Sequence, residues 1–310
     1  MKDQKILVTG GAGFLGKQII KDLKKIGISD KNIFVPRSKE YDLRKYQDIE
    51  KIFNEFPAEI VIHLATPKGG MGYYKKYPGK VFYDNAIMGM QIMEIARKKN
   101  VKKIAIAGSA LGYPQNTKIP YSEKDFWKGL PGELEAPYGI SHKILSAQGK
   151  FYKKEYGLNV IYLILPNLYG PGDHFDENAH VIPSMIKKFK DAKDKKIPKV
   201  VFWGDGSASR EFLFVEDASE LFIKAILDYN DPEPINLGPG NEITIKKLAE
   251  KIKKNMNYEE EIFWDPTKPS GAPRRALNYK KAIKFFNFKP KFNIDQGIKK
   301  TIEWFNQKSF

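Results

Sequence analysis

The sequence contains no cysteine. Disulfides, thiolate metal sites and a cysteine nucleophile are therefore excluded. Histidine is scarce, with four in 310 residues. No apolar run approaches the ~18 residues a membrane-spanning helix requires. The basic opening MKDQK leads directly into a short apolar run and then glycines, so no secretory leader is expected. What is present is a globular composition, 42% hydrophobic and 13% aromatic. The length suits one large domain or two modest ones, in a cytoplasmic setting.

Acidic residues are outnumbered, 37 against 53 lysines and arginines, for a formal charge of +16. Such a charge admits a nucleic-acid or membrane-surface binder. The lysines, however, are spread over helix-like segments such as DLKKIG, ARKKNVKK and EKIKKN, and no aromatic-rich nucleic-acid module accompanies them. They read as a solvated surface with positive potential for an anionic small molecule. Neither nucleic acid nor a membrane is the expected partner.

The segment KILVTGGAGFLGKQIIKDLKKIG opens with a short run of branched apolar residues, the pattern of a buried parallel strand. Gly10, Gly13 and Gly16 follow as GxxGxxG. Phe14, Leu15, Ile19, Ile20 and Leu23 then recur at helical spacing. Glycines permit a tight turn, a close approach of backbone to pyrophosphate, and close packing of helix on strand; the anion rests on the free N–H groups of the helix start. In a strand–turn–helix context this predicts dinucleotide binding, with Gly10, Gly13, Phe14, Leu15 and Gly16 at the phosphates. The second strand, NIFVP, is followed by PRSKEYDL and has no acidic residue at its end to hold ribose hydroxyls. Arg37 and Lys39 can instead meet a 2′-phosphate, so NADP(H) is expected, with NAD(H) left open. Asp42 and Leu43 are expected near the adenine.

Strand and helix patterns then alternate: AEIVIHLAT (58–66), VFYDNAIMGMQIMEIARKKN (81–100), KKIAIAGSA (102–110) and LNVIYLILPNLYG (158–170), the last a long strand that ends in a turn, with PNLYGPGD leaving it. This rhythm predicts an α/β fold with a doubly wound parallel sheet, its ligands at the carboxyl ends of the strands. Leu64 and Ala65, at one such end, are expected along the cofactor. His63 reads as a core histidine, and Met88, Met90 and Met93 as packing.

Ser109 ends a strand pattern, and Tyr138, in EAPYGISHKIL, opens a helix pattern. They resemble the serine and tyrosine of the extended short-chain dehydrogenase/reductase superfamily. In that chemistry a phenol moves the proton that accompanies hydride transfer. With an ordinary pKa of ~10 it needs help at neutral pH, and a neighbouring cation lowers it by ~1–3 units. The superfamily places a lysine four residues on, where this chain has His142; Lys143 is the fifth. At ~100° per residue, His142 lies ~40° from Tyr138 around the helix and Lys143 ~140° away. His142 is therefore expected to take the ribose-binding and electrostatic role, with a plain helix residue as the alternative.

From residue 166 the blocks PNLYGPGDHFDENAHVIPSMIKKF, VVFWGDGSASREFLFVEDAS and DPTKPSGAPRR, with HLATPKGGMGYYKKYPGKVFYDN before them, resemble the GDP-L-fucose synthase family. Their chemistry suits a nucleotide sugar: Arg210 can bind phosphate or sugar hydroxyls in bidentate fashion, Lys187, Lys268 and Arg274 add charge, and Trp203 offers an aromatic face. The resemblance implies that Asn167, Leu168 and Val181 line the nucleotide site. It further implies a Rossmann-type NADP-binding domain over 1–166, with a return segment near 205–235, and a mainly nucleotide-sugar-binding domain over 167–310. A homodimer is implied, and no metal. Two positions depart from the family. Leu111 stands where it has an epimerisation cysteine, although the partner histidine is kept as His180; and His142 replaces its lysine. The expected function is NADP(H)-dependent reduction of a GDP-4-keto sugar. Alternatives are an epimerase or dehydratase with a tightly bound, recycled cofactor, and a non-catalytic nucleotide- or RNA-binding relative.

Overall fold

The computed structural model describes residues 1–67, 71–176, 179–268 and 271–308. Its first strand shows why the apolar runs are continuous. In β1 (Ile6–Thr9), Leu7 points to one face of the sheet and Ile6 and Val8 to the other, and helices cover both. The run continues through α1 (Phe14–Lys25), β2 (Ile33–Phe34), α2 (Tyr46–Glu55), β3 (Ile60–His63), α3 (Met71–Lys76), α4 (Pro78–Lys98), β4 (Lys103–Ser109), α5 (Ala136–Tyr156) and β5 (Asn159–Leu165). With the later β9 (Ile235–Asn236) these strands form one parallel sheet, ordered β2-β1-β3-β4-β5-β9. One face carries α2, α4 and α5. The other carries α1, α7 (Val215–Asp228) and α9 (Lys280–Phe286). The expected doubly wound parallel sheet is the one observed. Its strand order reverses between β1 and β3, which opens a crevice at their carboxyl ends.

The turn expected at the end of the 158–170 strand is followed at once by a second short strand. Pro166, which has no N–H to give a ladder, separates β5 from β6 (Asn167–Tyr169). β6 leaves the large sheet and pairs in parallel with β8 (Ser209–Phe214), itself antiparallel to β10 (Glu242–Thr244). A second small sheet joins β7 (Lys199–Trp203) to β11 (Glu261–Asp265). These strands share a third core with α6 (Val181–Asp194), α8 (Ile245–Asn255) and α10 (Ile294–Gln307). Within the expected return segment, β8 belongs to the small sheet, whereas α7 packs on α1 of the large one.

Two features bring these parts together. Helix α5 lies so close to the turn after β4 that a Cβ on Gly139 would stand 2.4 Å from the Leu111 carbonyl oxygen. Residues 273–279 form a strap between the sheets. Ser209 N donates to Pro273 O (2.9 Å) and Asn278 N to Tyr121 O (2.8 Å). The buried Glu211 carboxylate accepts from Leu277 N (2.8 Å) and the Tyr279 hydroxyl (2.6 Å). Burial pushes the Glu211 carboxyl up to about 7, against the pull of those two hydrogen bonds.

Gly139→Ala should be destabilising by about 1–3 kcal/mol, because the obstructing atom is backbone. A lower urea midpoint at unchanged m value would show it. Glu211 binds its proton more tightly folded than unfolded. Stability should therefore fall as pH rises from about 4.5 to about 7 and level off above. Chemical denaturation across that range should show the decline in the native protein and a flatter profile in Glu211→Gln.

Candidate active site

The glycine turn is built where the strand order reverses. Gly10 has φ +71°, and a Cβ there would lie 2.8 Å from the Ala65 nitrogen and the Leu64 carbonyl carbon. A Cβ on Gly16 would lie 2.4 Å from Gly10 O. Gly13 caps α1 without a side-chain hydrogen bond, and the first turn holds no acidic residue. Its N–H groups are left to an anion, as a pyrophosphate cradle requires. Phe14 and Leu15 begin that helix, Leu15 against the core and the Phe14 ring near Gly172.

Beyond β2, Arg37 and Lys39 are exposed, and among the described residues neither side chain has an ion-pair or hydrogen-bond partner. The Asp42 carboxylate holds Arg44 through Nε (2.8 Å) and Nη2 (2.8 Å), and this guanidinium lowers it to about 2. Leu43 packs at the core edge.

Ser109 ends β4, and its hydroxyl accepts from Leu111 N (3.2 Å). Tyr138 lies in the first turn of α5, whose close contact at Gly139 sets it beside the turn that follows Ser109. The Tyr162 hydroxyl is buried without a hydrogen-bond partner, and burial pushes its pKa well up. The Tyr138 ring is sandwiched between Tyr74 (5.0 Å, 13°) and His142 (4.3 Å, 43°). Burial pushes its phenol up, and the Thr66 side chain pulls the other way.

His142 is on the Tyr138 face, and Lys143 is not. The Lys143 ammonium donates to Phe126 O (2.6 Å) and Gly129 O (2.9 Å), between the rings of Phe126 and Trp127. His142 is 6% exposed, and both ring nitrogens are buried without a hydrogen-bond partner. Burial, reinforced by the neighbouring His63, holds it down at about 3; the Ala107 backbone pulls upward but lies outside hydrogen-bond geometry. Among the described residues, a ring held neutral in this way supplies no charge to the phenol. His63 is buried, with Nδ1 2.7 Å from the Thr9 hydroxyl.

Around the smaller sheets, His180 caps α6 and its Nδ1 lies 3.1 and 3.2 Å from the Asp173 carboxylate oxygens. This hydrogen bond raises its pKa. Arg210 donates to Ser209 O (2.7 Å), and among the described residues no carboxylate pairs with it. Burial and the nearby Arg275 lower its pKa. Arg275 is held by Glu135, the residue before α5 (2.6 Å).

The other cations expected for the substrate are less available. Lys187 pairs with Asp191 on its own helix, and Arg274 is held by Glu242 through two bonds. Lys268 is exposed, Trp203 is 61% exposed at the end of β7, and Val181 is largely open. Asn167 donates to Glu211 O (3.1 Å), and Leu168 packs inward. Residues 68–70, 177–178 and 269–270 of the sugar-site blocks lie outside the described residues. Thr66, Tyr74, Asp173, Glu135 and Arg275 were not singled out by the sequence. Each gains its place from a contact that periodicity does not encode.

Among the described residues, no helix is long and apolar enough to cross a membrane, and no group of acidic or histidine residues is arranged to hold a metal. The model of the NAD dependent epimerase/dehydratase family matches residues 6–238. The chain is 31% identical to GDP-L-fucose synthase 1 of Arabidopsis thaliana, covering 98% of this chain and 94% of that one. It is 32% identical to GDP-L-colitose synthase of Yersinia pseudotuberculosis, covering 98% and 99%. A crystal structure of a GDP-L-fucose synthetase from Naegleria fowleri bound to NADP superposes with a TM-score of 0.90 at 26% identity, over 99% of this chain and 95% of that one. The chain is therefore a member of the NAD dependent epimerase/dehydratase family, the extended short-chain dehydrogenase/reductase type.

Proposed function

We propose that this protein is a nucleotide-sugar oxidoreductase that uses NADP(H) to reduce a 4-keto group on a GDP-linked sugar. The observation that carries the reading is the close approach of Gly139, next to Tyr138 in the first turn of α5, to the Leu111 carbonyl two residues after Ser109 ends β4. The relatives named above, which carry GDP-sugar names, support the substrate class.

The turn from Gly10 to Gly16, with Leu64 and Ala65 against it, holds the pyrophosphate, and the open α1 start fits its charge. Unpaired Arg37 meets the 2′-phosphate. The two orphan nitrogens of His142 fit a ribose hydroxyl, which would satisfy buried groups that are costly to leave bare. When bound, the dinucleotide supplies hydride. Ser109 polarises the carbonyl, and Tyr138 gives its proton to the carbonyl oxygen. Arg210 takes the anionic end of the sugar nucleotide, and Asn167, Leu168, Val181 and Trp203 line its path.

The His180–Asp173 pair has the form of an oriented acid–base group: the carboxylate takes Nδ1 and leaves Nε2 for substrate. It suits one proton transfer next to the ketone. Leu111 offers no second proton, so inversion lacks one of its two groups. A homodimer through α4 and α5 is part of the proposal, since Tyr83, Phe151 and Tyr156 stand exposed on those helices.

Purified protein supplied with NADPH and GDP-4-keto sugars should oxidise the cofactor, and no turnover across the panel would sink the reading. Tyr138→Phe should lower kcat by about 10²-fold or more while fluorescence titration shows NADPH still bound. Arg37→Ala should raise the NADPH KM roughly tenfold, about the worth of one charge-assisted hydrogen bond, and leave the NADH KM unchanged.

A further inference from the structure

The amino end of the large sheet, opposite the glycine turn, holds a lysine with an unusual set of neighbours. Lys103 is the first residue of β4 and is 8% exposed. Its Nζ donates to the Ile226 carbonyl, near the end of α7, and to Asn230 Oδ1 (3.0 Å). The last carbonyls of a helix have no partner within it. Asn230 is held in turn by Asn159 Nδ2 (2.6 Å). Among the described residues no carboxylate pairs with Lys103. Asp228 at the end of α7 and Lys153 on α5 act on it in opposite senses, and burial outweighs both. The adjacent Lys102 is exposed and held by Glu59 (2.6 Å). Beside the Lys103 amine is a cavity of about 350 Å³. Met1, Ile60 and Leu227 give it apolar walls, Gln4 and Asn159 add amides, and Lys102 adds a cation.

Two acceptors match a neutral amine. An ammonium carries three N–H donors, whereas a neutral amine carries two and a lone pair. With the Ile226 and Asn230 oxygens taken, a neutral Lys103 has its lone pair left over for the cavity. Burial favours that form and lowers the amine to about 8. We propose that Lys103 is a modification site, a nucleophilic amine that takes a short acyl group from an acyl phosphate. The nitrogen attacks the acyl carbon and a C–N bond forms. The C–O bond to phosphate breaks, and its electron pair leaves with the phosphate. The proton shed by nitrogen passes to water, and nothing is oxidised or reduced. The amide product keeps one N–H for the Ile226 carbonyl and lays its acyl chain in the cavity. Lys102 offers its charge to the departing phosphate. Lys103 and Ser109 stand at opposite ends of β4, about 20 Å apart at ~3.3 Å per residue. The modification is therefore independent of the reaction proposed above.

A lysine with an ordinary pKa of ~10.4 is neutral in roughly one molecule per 2,500 at pH 7. At about 8, Lys103 is neutral in roughly one in ten. A weaker base is also a weaker nucleophile, which takes back part of that gain and leaves about tenfold. The test treats full-length protein with acetyl phosphate at pH 7. The protein is then unfolded, and the remaining lysines are labelled with deuterated acetic anhydride. Mass spectrometry reads the extent of reaction at each lysine. Lys103 should react about tenfold faster than the median of the other lysines, and the excess should vanish when the first step is run in concentrated urea. Its rate should level off above about pH 8, while exposed lysines keep gaining about tenfold per pH unit. An excess under threefold in the native protein, or one that survives urea, overturns the proposal. Asn230→Asp sets a carboxylate against the amine and should abolish the excess; an unchanged excess overturns it too. If that variant does not fold, the comparison of native and urea-treated protein decides alone.

Discussion

Helix α5 approaches the end of β4 so closely that the Leu111 carbonyl fills the space a side chain on residue 139 would take. The contact is backbone to backbone, and a protein interior at crystal-like density gives it little room to shift. It fixes the height of Tyr138 above the sheet. It also determines that His142, one turn on, lies beneath the phenol and that Lys143 leaves toward Phe126 and Gly129. A second glycine pair does the same for the cofactor, where Gly10 touches the chain leaving β3 and Gly16 touches Gly10. In both places a missing Cβ lets two separate stretches of backbone meet.

The active site thus combines familiar geometry with altered electrostatics. In its usual form, such a site sets a cation beside the phenol and spends it on both ionisation and ribose binding. Here those duties separate. His142 has two buried nitrogens without partners and is held neutral by burial, so among the described residues it supplies no charge to the phenol. A protein interior readily tolerates this arrangement, because a neutral imidazole avoids the desolvation cost of a buried cation.

Much of this was legible in the sequence. The apolar runs, the glycine turn and the helix angles at Tyr138 locate the sheet, the cradle and the separation of His142 from Lys143, because each depends on local period or on backbone sterics. The pairing of Asp42 with Arg44 was not read, since a charged residue near a loop looks alike whether free or paired. The end of the strand near Pro166 was legible, but not that the residues after it pair with β8 in another sheet. The ionisation of His142 was out of reach because it depends on burial by elements far apart in the chain. Tyr74 was missed for the same reason, whereas Asp173 meets His180 only seven residues on, through a loop with no period to read.

The strand β9 completes the large sheet at its far edge, yet it is the chain's ninth strand and arrives after the small sheets have begun. Until residue 236 has been made, β5 has no neighbour on that side, and its apolar side chains Leu163 and Ile164 stand at an open edge. At roughly 5–20 residues per second during synthesis, that interval lasts several seconds. An uncovered apolar strand edge is a template for pairing with other chains. The nascent protein therefore passes through a sticky stage before its first half can close, and helper proteins that shield strand edges would set how much of it reaches the native state.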